Sequence, residues 1–171
     1  MTSRAAALIM LWGSLGVVAI LASAIVRLAP LAFAPIGDGS LAPRHVLAYV
    51  VSVVLMAYAE GYRGFHTRFS PRVVARALAL ATASRWWWLL FAPIFCMSLF
   101  HATRRGKVVA WGVLLMVATL VVLVRGVPQP WRGAIDAGVV VGLSLGSLSI
   151  LWYLVACFRG VAPPVSAELP K

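Results

Sequence analysis

Long apolar stretches alternate with short polar or basic stretches along the whole chain. A helix needs about 20 apolar residues to cross about 30 Å of hydrocarbon, and each apolar stretch is close to that length. The connections between them are too short to hold a soluble domain. We therefore predict an all-α fold: a polytopic integral membrane helical bundle, forming a single domain over residues 1–171, with about five membrane-embedded helices. The predicted helices cover approximately residues 5–26, 43–62, 86–103, 108–124 and 134–158.

The composition excludes several other classes of protein. Hydrophobic residues make up 63% of the chain and charged residues 11%, against norms of about 45–50% and about 25% in soluble domains. The mean hydropathy is +0.97. These values argue against a soluble globular domain, a disordered tail and a coiled coil.

The net charge of +11 has two interpretations. In a soluble protein it would indicate nucleic-acid binding. Here the basic residues lie between apolar runs, where they orient the chain in a bilayer and attract anionic lipid headgroups. We therefore expect the lipid bilayer and its anionic headgroups as partners, and no nucleic acid.

The ends of the predicted helices rest on proline, glycine and charge. The uncharged run Ala5–Val26 has 22 residues, which exceeds the 7–15 of a signal-peptide core, so we predict an uncleaved first helix. Pro30 and Pro35 are expected to end it, and residues 29–40 are expected to form a loop. Pro43 fits the first turn of the second helix. Ser70 and Pro71 predict the start of a further short helix, and residues 160–171 predict a loosely ordered tail.

The basic segment 61–85 sets the predicted orientation, because it holds five arginines and no acidic residue. The positive-inside rule places it in the cytoplasm, together with the N-terminus. The arginine-rich composition favours a bacterial cytoplasmic (inner) membrane.

Beyond that segment two threadings compete. The 18 residues of 86–103 give about 27 Å as a helix, just enough to span, and we expect five spans. In the alternative, 86–103 is re-entrant, and the basic turn 104–107 and the C-terminus return to the cytoplasmic side. The charge distribution favours this alternative.

The most informative polar segment follows the second predicted helix. Glu60 closes an apolar stretch near the expected cytoplasmic boundary, and ionisable residues at membrane depth are costly and commonly face a partner or a cavity. Gly61 and Gly64 permit close approach of another backbone or a headgroup. One interpretation is a site for an anionic group such as a lipid phosphate or a quinone-like headgroup; the other is a helix-end ion pair with an interfacial anchor. The candidate anion site consists of Glu60, Arg63, His66, Arg68 and Arg72.

The remaining titratable residues do not indicate a metal or a cofactor. The three histidines, His45, His66 and His101, are far apart in sequence, and a bis-histidine haem needs two at matching depth. Cys96 and Cys157 lie inside apolar runs and are expected to be buried free thiols. We expect no metal site and no cofactor.

The last predicted helix carries a ridge of small residues spaced by four. Such a ridge lets two helix backbones meet closely, either inside the bundle or against a membrane-protein partner or a second copy. Asp136 follows Arg132 by four residues near the start of this helix, where a carboxylate complements the helix dipole. The ridge consists of Ala134, Gly138, Gly142 and Gly146.

The sequence contains no HExxH motif and no Walker loop. We therefore expect a non-enzymatic subunit, assembly factor or scaffold of a membrane complex. The alternatives are a small transporter or channel, and a protein that binds a lipid or quinone headgroup at Glu60–Arg68.

Overall fold

The computed structural model describes residues 4–82 and 86–169, and all regular elements in these ranges are helices. The all-α prediction is therefore confirmed. Four helices are long and apolar enough to cross a membrane, as in an integral membrane protein. The elements are α1 (Arg4–Gly37), α2 (Pro43–Met56), a π-helical segment (Ala57–Phe69), α3 (Ser70–Thr82), α4 (Trp86–Leu90), α5 (Ala92–Cys96), α6 (Arg104–Arg125) and α7 (Trp131–Phe158).

The first helix is longer than predicted, because α1 passes through Pro30 and Pro35 and ends at Gly37. A proline inside a helix removes one hydrogen bond and leaves the carbonyl four residues earlier without a donor. For Pro35 that carbonyl belongs to Leu31, and Gln129 Nε2 donates to it at 3.1 Å. The prediction that the prolines end the helix was wrong at this site because a side chain from another segment replaces the missing donor.

The second helix also continues where the sequence predicted an end. Residues Pro43–Thr82 form one uninterrupted helical stretch of 40 residues, wound as α, then π, then α. The α-helix α3 begins at Ser70, where the sequence predicted a helix start, but it continues the preceding π-helical segment without a break. Most residues of α3 are buried against α1 and α7, so the α3 part of the predicted basic segment 61–85 is packed into the bundle. Residues 83–85, including Arg85, lie outside the described residues.

The predicted helix 86–103 does not form as a single helix. It divides into the five-residue helices α4 and α5, with Pro93 in the first turn of α5, and continues without regular structure to α6. Ser98 and His101 adopt left-handed backbone conformations with φ of 64° and 48°, which a helix cannot accommodate. The expectation of five spans is therefore wrong, and the described residues contain four candidate spans.

The bundle has two distinguishable ends. At one, which we call the loop end, Tyr49 Oη donates to Ala32 O at 2.9 Å, near the start of α7 at Gly133. At the other, the basic end, the apolar core joins the start of α1 to α3, α5 and the end of α7. This core is built from residues that include Met10, Val17, Val73, Ala77, Phe95, Ile150 and Leu154.

The chain order places both described termini at the basic end. α1 runs from the basic end to the loop end, and Pro43–Thr82 returns; α6 leads again to the loop end and α7 returns. Residues 161–169 contain no helix, but they are not loose as predicted. Arg76 Nη1 donates to Ala167 O at 2.8 Å, and Thr103 N donates to Glu168 O at 3.1 Å. The turn 104–107 and the tail therefore lie together, as in the re-entrant alternative.

One helix stands apart from the others. From Lys107 to Leu123 no side chain of α6 is buried. Its contacts with the rest of the chain lie mainly near its two ends, where Gly106 and Val124 are buried.

Candidate functional site

Four of the five predicted anion-site residues lie on the π-helical segment. In a π-helix each turn is closed by an i→i+5 hydrogen bond, so residues five apart lie nearly above one another. Ser70 N donates to Phe65 O in this pattern. The winding decides which side chains share a face, and it divides the predicted site into two.

The inner face of the π-helical segment packs against the small-residue ridge of α7. A Cβ added at Gly142 would lie 3.4 Å from Glu60 Oε2, and one added at Gly146 would collide with the ring of Phe65. His66 Nδ1 is 2.9 Å from Ser149 Oγ. Glu60 and His66 therefore face α7.

Glu60 lies farther from the end of its helix than the sequence predicted. Its neighbour Gly142 is nine residues beyond Gly133, about 14 Å along α7 at 1.5 Å per residue. The helix that carries Glu60 continues to Thr82, so this carboxyl lies beside the middle of α7.

The outer face of the π-helical segment carries two arginines. Arg63 and Arg68, five residues apart, line an open cavity of about 210 Å³ together with Ala59 and Gly64. Arg63 and Arg68 are both exposed. We call this cavity the arginine cleft; its charge and its glycine floor suit an anionic group.

Arg72 belongs to neither face. Its Nη2 pairs with Glu168 Oε1 at 3.4 Å, and its side chain is 26% exposed. The structure thus brings Arg63 and Arg68 together, turns Glu60 and His66 toward α7, and pairs Arg72 with the tail.

The ring of His66 extends a row of aromatic side chains along the π-helical segment. Tyr58 and Tyr62 stack at 6.2 Å, Tyr62 and His66 at 5.8 Å, and His66 meets Tyr153 of α7 at 5.4 Å. The row ends beside an apolar cavity of about 440 Å³ between the end of α7 and the tail, lined by Tyr153 and Arg159 among others.

A fully buried arginine, Arg76, is the main functional candidate that sequence reasoning missed. Its Nε donates to Phe95 O at 2.7 Å, and its Nη2 donates to Phe100 O at 3.1 Å and His101 O at 3.0 Å. With the bond to Ala167 O, the guanidinium serves four backbone carbonyls. A sequence signal existed, because apolar residues flank Arg76 on both sides, but we assigned it to a basic segment.

Backbone strain is concentrated around this arginine. Within residues 4–82 and 86–169, the non-glycine residues with positive φ are Ser98, His101 and Glu168. Left-handed conformations at such residues persist where surrounding contacts hold them. His101 and the neighbour of Glu168, Ala167, both accept a hydrogen bond from Arg76.

The small-residue ridge of α7 is used within the chain. Ala134 is buried in a cluster with Ala32 and Tyr49. A Cβ at Gly138 would collide with Ser52, including its backbone oxygen at 2.9 Å. Of the two open alternatives, the structure forms packing inside the bundle.

The histidines are held at separate places. His45 Nδ1 accepts from Ala42 N at 3.1 Å and its ring meets Trp131 edge-on at the loop end. His101 lies 4.3 Å from the ring of Trp88 at the basic end. Among the described residues no group of three His, Cys, Asp or Glu side chains is arranged to hold a metal.

The prediction of two buried free thiols is confirmed for Cys96 but not for Cys157, which is half-buried. Cys96 and Cys157 are free thiols. Burial raises the pKa of the Cys96 thiol to about 12, with Arg76 acting in the opposite direction. Arg132 Nε lies 3.5 Å from Asp136 Oδ2 near the start of α7.

Comparisons with protein-family models, with curated proteins and with solved structures found no match to this chain.

Proposed function

We propose that the chain is a small, non-enzymatic, multi-pass subunit or scaffold of a membrane complex in a bacterial inner membrane, with its termini in the cytoplasm. The observation that carries the proposal is the isolation of α6, which has no charged residue from Val108 to Val124 and buries no side chain from Lys107 to Leu123. The ridge on α7 is already used within the chain, so a partner requires another surface.

The surface of α6 has a feature suited to helix contact. A Cβ at Gly112 would meet no atom within 4 Å. Thr119 is seven residues, or two turns, from Gly112 and lies on the same face. Small residues on one face allow a second helix to approach closely in a membrane, where packing rather than the hydrophobic effect drives association.

A substitution in the open space at Gly112 tests this proposal. Gly112→Leu is expected to leave the isolated chain folded but to abolish or reduce co-migration with a partner on native gels after mild detergent extraction. Leu148→Trp, at an exposed position of α7 (63% exposed), is the control and is expected to keep the complex. Migration of the wild-type chain only as a monomer would refute the proposal, and so would an unchanged complex in Gly112→Leu.

A second candidate function is binding of an anionic lipid headgroup, and the arginine cleft favours it. The two guanidinium groups beside the half-buried Gly64 supply forked donors from which phosphate oxygens accept hydrogen bonds. The double variant Arg63→Gln/Arg68→Gln is expected to lose bound phosphatidylglycerol in native mass spectrometry. Arg27→Gln, which removes an exposed arginine of α1, is expected to retain it; equal retention in all three proteins would exclude the cleft as the site.

A further inference from the structure

The carboxyl group of Glu168 lies between α3 and the first turn of α6. One oxygen pairs with Arg72 Nη2 at 3.4 Å, and the other would be 3.3 Å from a Cβ at Gly106. The backbone of the tail is also bound, through Thr103 N and Arg76 Nη1. The tail thus presents an anion to an arginine and to the N-terminus of a 22-residue helix, where backbone N–H groups and the helix dipole favour negative charge.

This carboxylate leaves part of the site unused. Arg72 Nε is buried and has no hydrogen-bond partner. The single ion pair is long, whereas guanidinium groups commonly bind carboxylates and phosphates through two parallel hydrogen bonds. Glu168 itself is held at a φ of 48°, which disfavours its bound conformation relative to a relaxed tail.

We propose that Arg72 and the first turn of α6 form a binding site for a phosphate-type anion, and that Glu168 occupies this site as a displaceable internal ligand. A phosphate group has enough oxygens to accept from Arg72 Nε and Nη2 together and from the helix N-terminus. The exposed residues Arg104, Arg105 and Lys107 follow directly in the chain and attract anions to this end of the bundle.

Removing the internal competitor tests the site directly. In native mass spectrometry of the purified full chain, Glu168→Gln is expected to bind phosphatidic acid at least about threefold more tightly than the wild type. Arg72→Gln is expected to reduce binding about tenfold, and Arg72→Lys, which keeps the charge but not the fork, is expected to lie between them. Arg159→Gln, an exposed arginine at the same end, is the control and is expected to bind as the wild type does.

Further arms separate the sources of the anion and guard against misfolding. Competition by inorganic phosphate would identify the phosphate group itself as the ligand; binding only of the lipid would identify a headgroup at the membrane surface. Phosphatidylcholine is expected not to compete.

The double substitution Arg63→Gln/Arg68→Gln is expected to leave intact the increase in phosphatidic acid affinity caused by Glu168→Gln, which distinguishes this site from the arginine cleft. Unchanged affinity in Glu168→Gln would overturn the proposal, as would full binding in Arg72→Gln; Trp fluorescence melting of each variant verifies that it is folded.

Discussion

The guanidinium of Arg76 lies over the ring of Phe95, 4.3 Å from its centroid, and its Nε donates to the backbone carbonyl of the same residue. This double contact fastens α5 to α3. The segment after α5 is not helical, so its carbonyls at Phe100 and His101 lack helical donors and accept from Arg76 instead. One arginine thus replaces the hydrogen bonds that a continuous helix would have supplied.

Replacing this arginine is expected to destabilise the fold strongly. Arg76→Leu removes the side-chain donor from the part-buried carbonyl groups of Phe100, His101 and Ala167, and an unsatisfied buried group costs about 1–3 kcal/mol. We expect a loss of about 3 kcal/mol or more in the free energy of unfolding, measured by Trp fluorescence during SDS titration in mixed micelles. Arg105→Leu, at an exposed arginine, is expected to change stability by less than about 0.5 kcal/mol. An unchanged midpoint for Arg76→Leu would contradict the role assigned to Arg76.

The glycines of the chain are expected to differ sharply in their tolerance of a methyl group. Gly138→Ala places a Cβ against the backbone oxygen of Ser52, which cannot move aside cheaply. We expect a loss of about 1–3 kcal/mol from overpacking. At Gly112 the space is open, so Gly112→Ala is expected to be neutral or to stabilise by up to about 1 kcal/mol through helix propensity.

Thermal melting of both alanine variants in one detergent compares them directly. Because both substitutions add the same group to a helix, the difference in midpoint isolates the packing. Equal melting temperatures would show that α7 does not meet α2 as closely as the structure indicates.

The apolar pattern predicted three of the spans with nearly correct positions. Residues 108–124 and 134–158 fall inside α6 and α7, and 5–26 inside α1. Length and hydropathy are local properties, so the sequence displays them directly. The errors occurred where a distant partner decides the outcome: Gln129 supports the helix through Pro35, and Arg76 holds the irregular segment 97–101.

The candidate site was predicted only in part, for a similar reason. The sequence identified Glu60, Arg63, His66, Arg68 and Arg72 as one polar segment, but it placed the end of the second helix at residue 62, so no helical winding was predicted for residues 63–69. In the π-helical segment Arg63 and Arg68 lie on one face, and His66 contacts Ser149 of α7 on the other. The Arg72–Glu168 pair joins residues 96 positions apart, which no local pattern contains.

The threading of the chain gives a third prediction. The tail contacts Arg72, Arg76 and Thr103, so the turn 104–107 and the C-terminus are expected on the same side of the membrane. In a background with both native cysteines replaced by serine, Arg105→Cys and Ser166→Cys are expected to share their accessibility to a membrane-impermeant thiol reagent in sealed cells. Asp38→Cys, in the loop between α1 and α2, is expected to show the opposite accessibility.

Orientation follows from which pair is labelled. The positive-inside rule places the basic end in the cytoplasm, so only Asp38→Cys is expected to react in intact cells. Labelling of Arg105→Cys and Ser166→Cys from opposite sides would refute the four-span threading.

The thiol of Cys96 is expected to be chemically inert in the folded protein. Burial raises its pKa to about 12, and the thiolate is the reactive form. A raised pKa lowers the thiolate fraction at any given pH, so in a Cys157→Ser background, maleimide labelling at pH 8 is expected to be negligible until the protein is unfolded in SDS. The labelling rate of Cys96 in the folded protein is expected to rise only as the pH approaches 12.

Ser40→Cys, placed at an exposed loop position in a Cys96→Ser/Cys157→Ser background, is the control. Its thiol is expected to react rapidly near the ordinary cysteine pKa of about 8.5. In the structure Cys96 Sγ packs closely against Gly13 of α1, since a Cβ added at Gly13 would lie only 2.9 Å from it. If Cys96 reacted as fast as this control at pH 8, this packing of α5 against α1 would be refuted.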